Sequence, residues 1–91
     1  MLKVEMTIMN YRVVYSKTAA KTILKYDRPT RERIYSALNN LPNGDVKRIQ
    51  GQNNPPYFRL RIGDIRALFI KDDIEMEIFV FDINFRGNVY K

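Results

Sequence analysis

The strongest constraint on this chain lies between Tyr57 and Phe81, where three runs of alternating residues follow one another with almost nothing between them. The runs cover 57–62, 65–71 and 74–81, and only Gly63-Asp64 and Asp72-Asp73 separate them. Gaps of two residues between β-type runs predict hairpins, and a two-residue turn dictates which residues face each other. Around Gly63-Asp64, Ile62 faces Ile65, Arg61 faces Arg66, Leu60 faces Ala67 and Phe58 faces Phe69. Around Asp72-Asp73, Phe69 faces Met76, Ala67 faces Ile78 and Ile65 faces Val80. One side of the meander is then apolar throughout: Phe58, Leu60, Ile62, Ile65, Ala67, Phe69, Met76, Ile78 and Val80. The other side carries Arg59, Arg61, Arg66, Leu68, Glu75, Glu77, Phe79 and Phe81.

The apolar side needs a cover, and the preceding residues supply one. Ser16 is placed to cap a helix whose apolar positions are Ala19, Ala20, Ile23 and Leu24. Asp27-Arg28-Pro29 interrupts it, and Pro29 suits the first turn of a second helix. Ile34, Ala37, Leu38 and Leu41 give that helix one apolar stripe before Pro42-Asn43-Gly44 ends it. Residues 45–56 are polar and rich in turn formers, which predicts a loop. Tyr11 to Tyr15 reads as a strand. Leu2, Val4, Met6 and Ile8 alternate with mostly polar residues, as in an added strand, although Met6 or Met9 equally serves as an alternative start. The expected fold is α+β: an N-terminal strand, a two-helix hairpin, then a three-stranded antiparallel meander with both helices on one sheet face. One domain over 1–91, with a core from about residue 10, accounts for the whole chain.

Composition narrows the chemistry. Among 91 residues there is no His and no Cys, so thiol nucleophiles, zinc–thiolate sites and histidine-based triads are excluded. No apolar run approaches the roughly 20 residues that span a bilayer, and no signal peptide is evident. A net charge of +6 favours anionic partners. The cross-strand pair Arg61 and Arg66 is unfavourable by itself. It reads either as ordinary solvated surface or as a guanidinium cluster awaiting an anion, beside Phe79 and Phe81 as flat surfaces for bases. No glycine-rich phosphate loop exists, and Asp72-Asp73 is better explained as a turn than as a metal site.

Three segments together resemble the RelE/ParE superfamily of toxins from type II toxin–antitoxin modules. They are Gly44-Asp45-Val46-Lys47-Arg48-Ile49-Gln50-Gly51, then Tyr57-Phe58-Arg59-Leu60-Arg61-Ile62-Gly63-Asp64-Ile65-Arg66, and finally Arg86-Gly87-Asn88-Val89-Tyr90-Lys91. They are similar to the family's Gly-Asp-Val-Lys-Lys-Leu-x-Gly loop, its Tyr-Arg-x-Arg-x-Gly-Asp-Tyr-Arg hairpin and its Arg-x-x-x-Tyr ending. The resemblance is to the RelE-like branch and covers about residues 10–91. It implies a cytoplasmic, ribosome-dependent mRNA endonuclease that inhibits translation, with a cognate antitoxin as partner and without metal or other cofactor. In that chemistry the 2′-OH of the mRNA attacks the adjacent phosphate, leaving a 2′,3′-cyclic phosphate and a 5′-OH. The catalytic set carried over is Arg59, Arg61, Arg66, Arg86 and Tyr90. Arg59 and Arg61 would hold RNA and assist proton transfer, Arg66 would stabilise the transition state, and Arg86 would lie near the leaving oxygen. Tyr90 would stack on, or exchange protons near, the attacked nucleotide. Lys47, Arg48 and Phe79 join Arg59 and Arg61 as expected RNA contacts.

The chain also departs from the pattern. Many relatives read Gly-His-Arg-Arg where this one has Asn84-Phe85-Arg86-Gly87, so a histidine acid/base is missing. Arginine makes a poor base because it holds its proton to above about pH 12. For proton removal three readings then stand: Glu77, which faces Leu68 diagonally from Arg66 in the two-residue register, Tyr90, or no general base at all. Two alternatives stay open at this point: a ParE-like poison of DNA gyrase, and an RNA-binding member that has lost catalysis.

Overall fold

A computed structural model describes residues 11–85; the expectations for residues 1–9, and for Arg86 and Tyr90, fall outside them. The elements are β1 (Arg12–Tyr15), α1 (Lys17–Leu24), α2 (Arg28–Asn39), β2 (Asp45–Asn53), β3 (Pro56–Ile62), β4 (Ile65–Asp72) and β5 (Glu77–Phe85). The five strands form one sheet in the order β1-β5-β4-β3-β2. β1 runs parallel to β5, and the other neighbours are antiparallel. The class is α+β, as expected. The meander, however, has four strands rather than three.

Both helices form where local chemistry directs. Ser16 caps α1, its Oγ accepting a hydrogen bond from the Ala19 amide at 3.0 Å. Pro29 sits in the first turn of α2, where its missing N–H costs nothing. Ala19 and Ile23 of α1, with Ile34 and Leu38 of α2, are fully buried. They meet Leu60, Ile62, Ile65, Ala67, Phe69, Ile78, Val80 and Ile83 from the sheet, and Phe58 packs at the margin, stacked on Phe69. Leu24, expected in the buried stripe, is 64% exposed at the end of α1. After α2 the chain turns at Gly44, whose φ of +117° suits glycine; a Cβ there would lie 2.9 Å from Leu60 Cδ1.

Three sequence expectations are corrected. Residues 45–56 are largely strand β2, not loop. As a sheet edge with one neighbour, β2 is held by backbone pairing to β3 and buries little, so it lacks the alternation that marks half-buried strands. The second correction concerns the turn after β4. It contains four residues, because the Asp72 carboxylate accepts hydrogen bonds from the amides of Ile74 and Glu75, both at 3.0 Å. Met76 completes it at φ +53°, so it is a turn residue and not a member of the apolar face. Phe69 therefore faces Val80 instead of Met76, and Asp72 faces Glu77. This displacement of four positions is even, so Ile78 and Val80 keep the core side although their partners change.

The third correction is a β-bulge. Phe69 pairs with Val80 but Leu68 pairs with Asp82, leaving Phe81 as an extra residue in β5. Beyond it the alternation inverts. Ile83 turns to the core opposite Ala67, while Asp82 and Asn84 face the side away from the helices. Ser16 Oγ donates to the Phe81 carbonyl at 3.1 Å, tying the bulge to the start of α1.

Candidate nucleic-acid interface

The sheet face away from the helices is built from strand registers. One row across it reads Asn84, Arg66, Arg61 and Asp45; the next reads Asp82, Leu68, Arg59 and Lys47. Leu60 is buried on the opposite side, so the alternation separating Arg59 and Arg61 from the core holds. Arg61 and Arg66 are direct cross-strand partners. Among the described residues no carboxylate lies within 4.0 Å of either guanidinium. Two like charges facing each other cost stability by a few tenths to about 1 kcal/mol.

Arg59 is held differently. Its side chain is only 13% exposed, and Nη1 is buried with no hydrogen-bond partner. The carboxylate of Asp45, itself 61% exposed, stands 3.9 Å from Nη1, beyond hydrogen-bond reach. A buried N–H with no acceptor is costly, because water has been removed and nothing replaces it. An anion entering this face would supply the missing acceptor.

Beside the arginines lies an aromatic group. Tyr57 and Phe81 sit 4.7 Å apart between ring centroids, and Phe79, opposite Ile70, is one-third exposed. Flat apolar rings adjoining guanidinium groups match the two parts of a nucleotide, the base and the phosphate.

Not every residue singled out from sequence joins this face. Arg48 pairs with Phe58, which places it on the helix side of the sheet, where it donates to Asn53 Oδ1 at 2.7 Å. Lys47 does share the arginine face and is exposed. Glu77 lies at the start of β5, ion-paired with Arg12 and opposite Asp72. The longer β4–β5 turn moves it to the far end of the sheet from Arg66, so the diagonal placement expected for a base does not exist. The residues sequence reasoning missed are Asp82 and Asn84. Asn84 Nδ2 donates to Asp82 Oδ2 at 3.0 Å, and Arg66 Nε donates to Asn84 Oδ1 at 3.5 Å. No local signal announces the bulge that brings them there.

The phenols of Tyr11, Tyr15 and Tyr26 are all pushed above their usual range. A hydrogen bond to Asp73 is the main cause for Tyr11, and burial for Tyr15 and Tyr26. None of the three is a proton acceptor near neutral pH.

Comparison with solved structures reveals the same architecture. The chain is similar to RelE in the RelE–RelB complex from Pyrococcus horikoshii OT3, with a TM-score of 0.69 and 22% identity over 87% of this chain and 98% of that one. The RelBE2 toxin–antitoxin complex from Mycobacterium tuberculosis gives a TM-score of 0.72 and 18% identity, covering 85% and 99%. The chain has a RelE-like fold. The RelB–RelE antitoxin–toxin complex from Methanococcus jannaschii agrees, with a TM-score of 0.64 and 24% identity over 85% of this chain and 94% of that one. No protein-family model and no curated protein sequence matches this chain. Among the described residues of this RelE-like fold, no helix is long and apolar enough to cross a membrane.

Proposed function

We propose that this chain is the toxin of a toxin–antitoxin module and acts as a ribosome-dependent endonuclease on mRNA. The observation that carries the reading is the arginine face itself. A RelE-like sheet presents Arg61 against Arg66 with no carboxylate within 4.0 Å of either guanidinium among the described residues, and Arg59 with a buried N–H lacking an acceptor. Such a surface is unfavourable in isolation and becomes favourable around phosphate. In the reaction the substrate's 2′-oxygen bonds to the adjacent phosphorus while the bond from phosphorus to the 5′-oxygen breaks. One proton leaves the 2′-OH and one reaches the 5′-oxygen, giving a 2′,3′-cyclic phosphate and a 5′-OH.

Arg59 and Arg61 hold the RNA strand in this account, and Arg66 stabilises charge on the phosphate as it becomes five-coordinate. Arg86 near the leaving oxygen and Tyr90 at the attacked nucleotide complete the set by resemblance. With Glu77 removed by the register, Tyr90 is the remaining candidate for proton exchange. Lys47 and Phe79 extend the contact to flanking nucleotides. The nucleophile belongs to the substrate, so a chain without His or Cys is not disabled by their absence. A cytoplasmic antitoxin with acidic groups suits the same basic face and would shield it between episodes of activity.

The test is to express the protein in living cells and map mRNA ends. New 5′-OH ends within translated codons support the proposal. Growth arrest without such ends, but with gyrase-linked DNA breaks, would replace it with the gyrase-poison reading.

A further inference from the structure

We infer that Asn84, with Asp82 behind it, is a positioning residue that sets the direction of the Arg66 guanidinium. The inference rests on the nuclease reading for its consequence, but its geometry stands apart from that reading. An ionised carboxylate only accepts hydrogen bonds and a guanidinium only donates them. The Asn84 amide lies between one of each, so a single orientation satisfies both: Nδ2 toward Asp82 and Oδ1 toward Arg66. Asp82 thereby dictates that a carbonyl oxygen, not an amino group, meets Arg66 Nε. The terminal Nη1 and Nη2 of Arg66 then remain for a bidentate contact with phosphate. At 3.5 Å the Arg66–Asn84 bond is long, as bonds at catalytic sites often are before substrate tightens them.

The backbone is shaped for this arrangement. Without the Phe81 bulge, the alternation of β5 would carry Asp82 to the core side with Ile78 and Val80. The bulge sends Asp82 and Asn84 to the arginine face and Ile83 inward, a re-aiming that bulges commonly perform beside functional sites. Ser16 holds the carbonyl of the bulged residue. The amide also avoids a penalty that a carboxylate at position 84 would bring. A charge there would pair with Arg66 and compete with phosphate, whereas a neutral amide orients the guanidinium and leaves its charge available.

The experiment uses the full chain as wild type, Asn84→Ala, Asn84→Asp and Asp82→Asn. Nuclear magnetic resonance follows solvent exchange of the Arg66 Nε–H, and single-codon cleavage on programmed ribosomes supplies kcat and KM. In Asn84→Ala the Nε–H should exchange faster, and kcat should fall about tenfold with KM within about twofold. Asp82→Asn should show the same pattern more weakly. Asn84→Asp should instead raise KM, because the new carboxylate competes for Arg66. A merely structural role would lower thermal midpoints in all three variants without splitting kcat from KM. Unchanged Nε–H exchange in Asn84→Ala, or an unchanged kcat, overturns the inference. If wild type does not cleave at all, the nuclease reading fails while the exchange measurement still decides whether Asn84 positions Arg66.

Discussion

Replacing Arg59 by methionine should make the protein more stable and less active. Arg59 is 87% buried by its side chain (13% exposed), and Nη1 has no hydrogen-bond partner. Leaving a buried donor unsatisfied costs about 1–3 kcal/mol, and methionine of similar length removes that cost while retaining apolar packing. The partial ion pair with Asp45 is lost, but Asp45 is 61% exposed and rehydrates, so little is forfeited. A net gain of about 1 kcal/mol follows, which in a domain of this size raises Tm by roughly 4–8 °C. Thermal denaturation followed by circular dichroism measures the shift, and RNA binding by the same variant should weaken at least about tenfold. A lower Tm for Arg59→Met would refute the reasoning, because it would mean the guanidinium contributes to folding rather than waiting for an anion. Substitution by alanine is a poorer probe, since it also leaves a void.

Three further outcomes follow from other parts of the molecule. Ser16→Ala removes both the α1 cap and the donor to the Phe81 carbonyl, so stability should fall by about 1–2 kcal/mol; denaturant titration at constant m-value checks this. Burial raises the Tyr15 phenol above its unfolded value, so the folded state holds that proton more tightly than the unfolded chain. The stability this contributes is complete below about pH 10 and lost as pH rises through the folded value, so Tyr15→Phe should flatten the fall in Tm across that alkaline window. Naked RNA should be cleaved very slowly by the purified chain compared with mRNA on the ribosome, since orientation of the strand can be worth several kcal/mol of barrier; gel analysis of both substrates compares the rates.

How much of this was legible in the sequence depended on whether side chains or backbone carried the information. The β3–β4 hairpin was readable because Gly63-Asp64 is a short turn whose glycine takes φ +62°, and the pairing of Arg61 with Arg66 followed from it. The faces of Ile78 and Val80 were also readable, but for an incomplete reason. The true β4–β5 register differs by four positions, and an even error leaves the sides of a strand unchanged. What was hidden is backbone geometry without a residue signature. Met76 does not advertise a left-handed conformation, and Asp72 closes the turn through its own carboxylate. Likewise β2 is stabilised by main-chain pairing at an edge, which leaves no apolar alternation in Asp45–Asn53. The consequences for the site were large: Glu77 left it, Asp82 and Asn84 entered it, and Arg48 proved to belong to the other side of the sheet.

In the proposed cleavage Arg66 is the arginine that meets the developing charge on phosphorus. Single-turnover cleavage on ribosomes programmed with a defined mRNA, compared between wild type and Arg66→Ala, measures this role directly. One preorganised donor to a developing anion is commonly worth about 3 kcal/mol, so Arg66→Ala should cleave roughly a hundredfold or more slowly. Its Tm should change little, because relief of repulsion with Arg61 offsets the lost hydrogen bond to Asn84. A folded Arg66→Ala that binds ribosomes and cleaves at the wild-type rate would show that Arg66 does not stabilise the transition state.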